Sequence, residues 1–372
     1  MKEKIFRSPA RYIQGRGVLA RLPEFSADLG DRCLLVLSEG GVKRNQAVLE
    51  QIKANGNGCD FTVASIIGEN SIDEINRMCE IIKEKGCNLV AGIGGGKIVD
   101  AAKAIGYYAK VPVIVAPTVA SSDAPCSPNA VINKKDGSGQ DFRLKTGHNP
   151  DLVLIDSALI ASAPVRLFAS GMGDALSTYF EMKACWDTDS NNVIGSRITL
   201  CAKAIATQCY QTLMEDGVKA FLAVKNGICT EAVENVIEAN ILLSGLGFEN
   251  GGVCAAHPIN GGLSQVRCSH PNLHGEYIAF TTIAQMVLSN ESLELIRKTQ
   301  KFIHAVGLPV TLAELGIEEL TEDDLTNIGQ KAFTRPAINS LPRKVDPAAV
   351  MNAVIMADVL GREYLASNKE VL

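Results

Sequence analysis

Apolar positions in the first half of the chain fall into short runs separated by stretches of helical spacing. Residues 33–38, CLLVLS, form a run of strand length. In SIDEINRMCEIIKEKG (71–86), Ile72, Ile75, Met78 and Ile82 make one helical stripe, Ser71 and Glu74 have capping-box spacing, and Gly86 marks the stop. NLVAGI (88–93) predicts the next strand, KIVDAAKAIGYYA (97–109) a helix and VPVIVAPT (111–118) another strand. NAVI (129–132) and DFRLK (141–145) flank the turn signal KKDGSG (134–139) and predict a hairpin, and PDLVLID (150–156) predicts a last strand. Strand–helix alternation of this kind implies a parallel sheet with helices on both faces.

After SAPVRL (162–167) the strand signal fades, and long segments at 198–224 and 231–248 have helical spacing. The expected architecture is therefore α/β plus all-α. A Rossmann-like parallel-sheet domain over 1–163 precedes a helical bundle domain over 164–372, with ligands expected in the cleft between them. Composition leaves this picture intact: 47% hydrophobic and 21% charged residues are ordinary for a globular protein. A net charge of -5 gives no footprint for nucleic acid or an anionic membrane. The eleven cysteines contain no C-x-x-C pair, which points to free thiols in a reducing cytoplasm. The start, MKEKIFRSPARYIQG, has no apolar core of a leader, and no stretch reaches membrane-span length, so a cytoplasmic protein is expected.

Three stretches carry chemistry. AGIGGGKIVDAAKAIG (91–106) places Gly94, Gly95, Gly96 and Lys97 between a strand and a helix, where bare backbone and a helix N-terminus suit a phosphate. It matches neither G-x-G-x-x-G, because lysine follows Gly96, nor the P-loop, because of Ala91 and Ile98; a purely structural turn is the alternative. Of five histidines, three lie between 257 and 274: His257 in AAHPINGG, and His270 and His274 in HPNLHGEY. With Asp174, which reads as the start of an apolar helix in GMGDALSTYFE, two imidazoles would make the shell of a catalytic metal with an open position. Spacing alone leaves Asp174 open to being an N-cap and the histidines to being satisfied core or surface residues. The third stretch, APTVASSDAPCSPNAV (116–131), is a loop of small hydroxyl residues with Asp123 as its one charge; it would line a cofactor groove or be simply solvated.

These stretches together resemble the glycerol dehydrogenases of the iron- and zinc-dependent alcohol dehydrogenase superfamily, which is related to dehydroquinate synthase. The resemblance also takes in SPARYIQGRGVLARLPEF (8–25), GMGDALSTYFEMKAC (171–185), IEANILLSGLGFENGG (237–252), HGEYIAFTT (274–282) and HAVGLPVTLAELGI (304–317). It implies a dehydroquinate synthase-like fold, and hydride transfer from glycerol or a related vicinal diol to NAD assisted by one zinc ion per subunit. It assigns Asp174, His257 and His274 as zinc ligands and leaves His270 out. Gly96 and Lys97, with Gly94 and Gly95, would hold the pyrophosphate; Asp100, Thr118 and Ser127 would complete the cofactor contacts; and Asp123 would meet a substrate hydroxyl as the catalytic side chain. Thr178 stands where the iron-dependent branch has a fourth, histidine ligand, and three protein ligands suit zinc.

Five positions depart from the glycerol dehydrogenase pattern. Ser38 replaces the aspartate that grips the adenosine ribose, which leaves NADP beside NAD; Glu39 could substitute for that aspartate, and Lys43 or Arg44 could meet a 2′-phosphate. Asn129 and Asn133 replace an aliphatic residue and a tyrosine beside the cofactor, and Asn260 replaces a histidine. Pro258 is expected to break or kink the helix at a ligand. The resemblance implies a homo-oligomer, with no nucleic-acid or membrane partner. The competing readings are the same metal chemistry on another small hydroxy or carbonyl compound such as a 2-hydroxy acid, a phospho-substrate lyase with only Arg267 and Lys183 to hold the phosphate, and a non-catalytic nucleotide-binding module.

Overall fold

The computed structural model describes residues 3–56 and 58–368. The chain forms two compact units. Among the described residues, 7–163 with Gly227–Cys229 make one; 3–6, Pro164–Asn226 and 230–368 make the other.

The first unit is built on eight strands: β1 (Arg11–Gly15), β2 (Arg32–Ser38), β3 (Asp60–Ile66), β4 (Leu89–Gly94), β5 (Val113–Pro117), β6 (Asn129–Asn133), β7 (Gln140–Lys145) and β8 (Leu152–Asp156). Its helices are α1 (Leu22–Ser26), α2 (Glu39–Arg44), α3 (Gln46–Ala54), α4 (Ile72–Lys85), α5 (Gly96–Ala109) and α6 (Ser157–Ala161). Six strands pair in parallel in the order β1-β8-β5-β4-β2-β3, and β6 and β7 form a separate antiparallel hairpin. Runs of five residues in β2, β4, β5 and β8 are buried without alternation, as happens only when both faces of a sheet are covered. The two strands the hydrophobic pattern did not announce, β1 and β3, are the edges and are only half-buried. Chain order reverses between β2 and β4, so Ser38 and Gly94, at the carboxyl ends of those strands, flank the topological switch point where open α/β sheets take ligands.

α5 lies tightly on the sheet. A Cβ on Gly92 would stand 2.5 Å from the Ala102 Cβ, and one on Gly94 2.7 Å from Ile98 Cγ1. Buried Lys103 clamps the following loop to this helix: its ammonium pairs with Asp100 at 2.8 Å and donates to the carbonyls of Ala124 (3.0 Å), Ser127 and Asn129. The expected capping box at Ser71 does not form. Glu74 instead accepts the Ile67 N–H at 2.7 Å and pairs with Arg77, because the preceding strand end brings an unmet donor within reach.

The second unit is helical among its described residues: α7 (Val165–Asp187), α8 (Leu200–Lys225), α9 (Glu231–Glu238), α10 (Ser244–Gly251), α11 (Ala256–Leu263), α12 (His274–Leu288), α13 (Leu293–Ala305), α14 (Glu322–Phe333) and α15 (Pro347–Asn368). A π-helical turn, Ala239–Leu243, joins α9 to α10. α7 and α12 approach until their backbones touch: a Cβ on Gly275 would lie 1.7 Å from the Ser170 carbonyl oxygen, and one on Gly173 2.2 Å from that of Gly275. Ser170 Oγ also accepts the Gly275 N–H at 3.2 Å, and Arg166 of α7 pairs with Glu276 of α12 at 2.6 Å.

Two local expectations change here. Asp174 is not at a helix start but in the middle of α7, because the apolar run extends upstream to Val165. Pro258 does not kink α11. It occupies the third helical position, where an N–H would have no intrahelical partner anyway.

Gly275→Ala should therefore force α7 and α12 apart, at an overpacking cost of about 1–3 kcal/mol. The thermal unfolding midpoint should fall by several degrees, whereas Gly96→Ala, whose Cβ meets nothing within 4 Å, should leave it in place. Equal midpoints for the two variants would refute the close helix approach.

Candidate metal centre and dinucleotide edge

The close approach of α7 and α12 sets Asp174 beside His274, the first residue of α12. His257 arrives from the first turn of α11. His257 Nε2 lies 3.5 Å and His274 Nε2 3.4 Å from Asp174 Oδ1, and the three donor atoms are all within 4.8 Å of one another. Four-coordinate zinc with bonds of about 2.0–2.2 Å puts neighbouring donors about 3.3–3.6 Å apart, so both contacts to Asp174 have the length of a tetrahedron edge. Two neutral nitrogens and one carboxylate also suit a divalent cation of zinc's softness. Exposure grades across the set, from 2% for the Asp174 side chain through 16% for His257 to 47% for His274, leaving the His274 side accessible.

α11 is held from two sides. Its N-cap, Ala255, has no side-chain oxygen, so the donors of its first turn need acceptors from elsewhere. Gln285 Oε1 of α12 takes the N–H groups of Ala255 and Ala256 at 2.8 Å each, and Glu181 Oε1 of α7 takes those of Cys254 (3.1 Å) and His257 (3.2 Å). The other Glu181 oxygen accepts from His257 Nδ1–H at 2.7 Å, which fixes a proton on Nδ1 and leaves Nε2 as the nitrogen that faces Asp174. Glu181 was not among the residues singled out from sequence. It follows Asp174 by seven residues, two helical turns on the same face, and that spacing is the signal that could have found it.

Without a metal, the charges of this cluster lean on one another. Burial works against the His257 cation, but the Glu181 charge and the hydrogen bonds to Asp174 and Glu181 outweigh it and raise its pKa from 6.5 to about 10. Burial likewise works against the Asp174 anion, yet the His274 charge and the hydrogen bonds from both imidazoles hold its pKa well below 3.8. Thr178, one turn beyond Asp174, has its hydroxyl 2.9 Å from that of Ser244, the residue that follows the π turn. Asn260 Nδ2 lies 3.4 Å from His274 Nδ1. His270 is outside the cluster and lines a cavity of about 500 Å³ with Arg166, Glu276 and His304.

In the sheet unit, Ser38 and the Gly94–Lys97 turn come to the same strand-end edge, and the Thr118 N–H donates to the Gly94 carbonyl at 3.0 Å. The glycines divide their tasks. Gly94 is required by packing, whereas a Cβ on Gly95 meets only Val119 Cγ2 at 3.7 Å and one on Gly96 meets no atom. Neither has a positive φ, so neither protein packing nor backbone conformation asks for glycine there. Gly95 is also the N-cap of α5 and offers no side chain to the first-turn N–H groups. Bare backbone at a long helix's N-terminus fits a pyrophosphate. Lys97 pairs with Glu69 at 2.7 Å, and the other Glu69 oxygen takes the Asn133 amide at 2.9 Å.

Other expected cofactor contacts are already engaged within the protein. Asp100 turns inward to Lys103 and accepts the Val131 N–H at 3.1 Å, and the Ser127 hydroxyl closes its own turn, accepting the Asn129 N–H at 3.3 Å. Both also shape the loop, because buried Lys103 needs a counter-charge and the tight turn needs an acceptor. Asn129 opens β6, with its carbonyl on Lys103. Ser38 Oγ caps α2 by accepting the Gly41 N–H at 3.0 Å, and Asp123 opens a 3-10 turn, Ala124–Cys126.

Residues 9–157 match the family described as iron-containing alcohol dehydrogenase. A glycerol dehydrogenase of Citrobacter freundii is 40% identical over 365 residues, spanning 98% of this chain and 99% of that one. The chain belongs to the iron-containing alcohol dehydrogenase family. Membership makes it a metal-containing alcohol dehydrogenase. A glycolaldehyde reductase of Halobacterium salinarum is 38% identical over 96% of this chain and 98% of its own length. The crystal structure of glycerol dehydrogenase from Schizosaccharomyces pombe superposes with a TM-score of 0.90 at 34% identity, covering 99% of this chain and 93% of that one.

The charge pattern of the metal-free centre has a pH signature. The raised pKa of His257 stabilises the metal-free fold fully below pH 6.5, and that contribution is lost as pH rises through about 10; the lowered pKa of Asp174 contributes above pH 3.8 and is lost as pH falls through its folded value. A cation must displace the His257 proton, so zinc uptake near neutral pH should release about one proton per site and tighten as pH rises. Titration in weakly buffered solution with an indicator dye measures it, and uptake without proton release would contradict the assignment. Glu181→Gln should weaken zinc binding about 10–100-fold, as loss of an imidazole's carboxylate partner does.

Proposed function

We propose that the chain is a zinc-dependent dehydrogenase that transfers a hydride from glycerol or a related small vicinal diol to NAD. The observation that carries the reading is the convergence of His257 and His274 on Asp174, each at tetrahedron-edge distance from its Oδ1, in a chain related over its whole length to glycerol dehydrogenases.

Asp174, His257 and His274 would hold the cation, which when bound supplies the Lewis acidity that brings an alcohol's ionisation toward neutral pH. NAD supplies the hydride acceptor. The chain's own work is positioning. Glu181 holds His257 with Nε2 as the donor, and Thr178, hydrogen-bonded to Ser244, adds no nitrogen ligand and so leaves a position for substrate. Gly95, Gly96 and Lys97 would take the pyrophosphate, Glu69 yielding Lys97 as the dinucleotide arrives. Thr118, Asn129 and Asn133 would border the cofactor, and Asp123 would orient a substrate hydroxyl.

Ser38, being no carboxylate, does not repel a 2′-phosphate, so NADP should be used as well as NAD; Ser38→Asp should shift the ratio of kcat/KM values toward NAD by about tenfold or more. A cytoplasmic homo-oligomer without membrane or nucleic-acid partners completes the reading. A second reading, reduction of a small hydroxyaldehyde by the same chemistry, is favoured by the glycolaldehyde reductase relative.

Removing metal with a chelator should abolish NAD-linked oxidation of glycerol and 1,2-propanediol, and Zn2+ should restore it. Activity indifferent to chelation would eliminate the metal mechanism. Faster turnover of glycolaldehyde with NADH than of either diol with NAD, compared as kcat/KM, would favour the second reading.

A further inference from the structure

His257 and His274 face the same Asp174 oxygen, but different groups stand behind them. Behind His257 is the Glu181 carboxylate at 2.7 Å. Behind His274 is a carboxamide, Asn260, with Nδ2 at 3.4 Å from Nδ1. The Asn260 side chain is buried, and its Oδ1 has no hydrogen-bond partner among the described residues. A buried carbonyl oxygen left unpaired has lost its hydration without gaining a partner, which is unfavourable.

Ligation through His274 Nε2 requires that Nδ1 carry the proton, and Nδ1–H then needs an acceptor. Asn260 Nδ2 is itself a donor and opposes it. Half a turn about the Asn260 Cβ–Cγ bond exchanges oxygen and nitrogen within nearly the same shape. It brings the unpaired oxygen to Nδ1–H, so that one rotation satisfies both the buried acceptor and the ligating tautomer.

We propose that Asn260 is a positioning residue for the metal centre, presenting its carboxamide oxygen to His274 Nδ1–H and so holding Nε2 as the metal-facing donor. The proposal rests on the zinc reading of the site. It also gives the two imidazoles unequal support: His257 is backed by an anion and His274 by a neutral dipole. A neutral partner donates less charge through the ring, which leaves the cation the stronger Lewis acid. His274, the more exposed of the two ligands, is also the one that depends most on its partner for a fixed tautomer.

The test is zinc affinity, measured by competition with a chromogenic chelator, for the parent chain and for Asn260→Leu and Asn260→Asp. The leucine variant keeps the volume and removes the acceptor; it should bind zinc about 10–100-fold more weakly while the metal-free protein melts no lower than the parent. The aspartate variant keeps the acceptor and adds charge. It should bind at least as tightly as the parent and move the acid limb of the kcat profile for alcohol oxidation, where the bound alcohol must ionise, toward higher pH. In zinc-loaded protein labelled with 15N-histidine, the His274 Nδ1–H should resist solvent exchange in the parent and lose that protection in the leucine variant. The chain has only five histidines, which makes the signal assignable. Parent-like affinity and an equally protected proton in the leucine variant would overturn the proposal alone. A parent chain that takes up no zinc would overturn the reading of the site as well.

Discussion

A carboxylate buried in the middle of a long helix is the constraint around which the second unit is arranged. Asp174 is 2% exposed on α7, and an anion there is untenable without positive charge beside it. In the metal-free protein the imidazoles of His257 and His274 meet that need. To do so, α11 and α12 must both converge on one turn of α7. The glycines at the α7–α12 crossing, the Arg166–Glu276 pair and the acceptors lent to α11 by Glu181 and Gln285 are what this convergence requires of the packing. Each of them lies within about three turns of Asp174, His257 or His274 along its helix, so scaffold and cluster are one structure.

The same economy shows in the sheet unit. One glycine-rich segment has two characters: Gly92 and Gly94 let α5 settle on the sheet, while Gly95 and Gly96 leave bare backbone open at the N-terminus of that helix. Lys103 then fastens the loop carrying Ala124, Ser127 and Asn129 to that helix, and Asp100 supplies the counter-charge. Asp100 and Ser127, which the sequence resemblance places at the cofactor, are thus also part of what shapes that loop.

The positions that depart from the glycerol dehydrogenase pattern are mostly polar and mostly occupied. Ser38 caps a helix, Asn133 holds Glu69, and Asn260 faces His274. They do not alter the donor set. They change its surroundings: the charge at the carboxyl end of β2, the carboxylate that pairs with Lys97 and the backing of one imidazole.

How much of this was legible beforehand follows from the range of each interaction. The central strands, the hairpin, the long helices and the strand–glycine–helix turn were readable because continuous apolar runs and turn residues are local signals. The edge strands β1 and β3 were not, since half-buried edges lack a continuous run. Asp174, His257 and His274 were recognisable as residue types in a familiar order, but their spacing along the chain says nothing of distance in space. Only the tertiary structure shows that Pro258 sits harmlessly in a first turn and that Glu74 abandons its capping box. Only there does Glu181, seven residues from Asp174, reach both the backbone and the ring of His257. Local periodicity decides which residues form a helix; which helices touch, and therefore which donors meet, is decided by close packing across the unit.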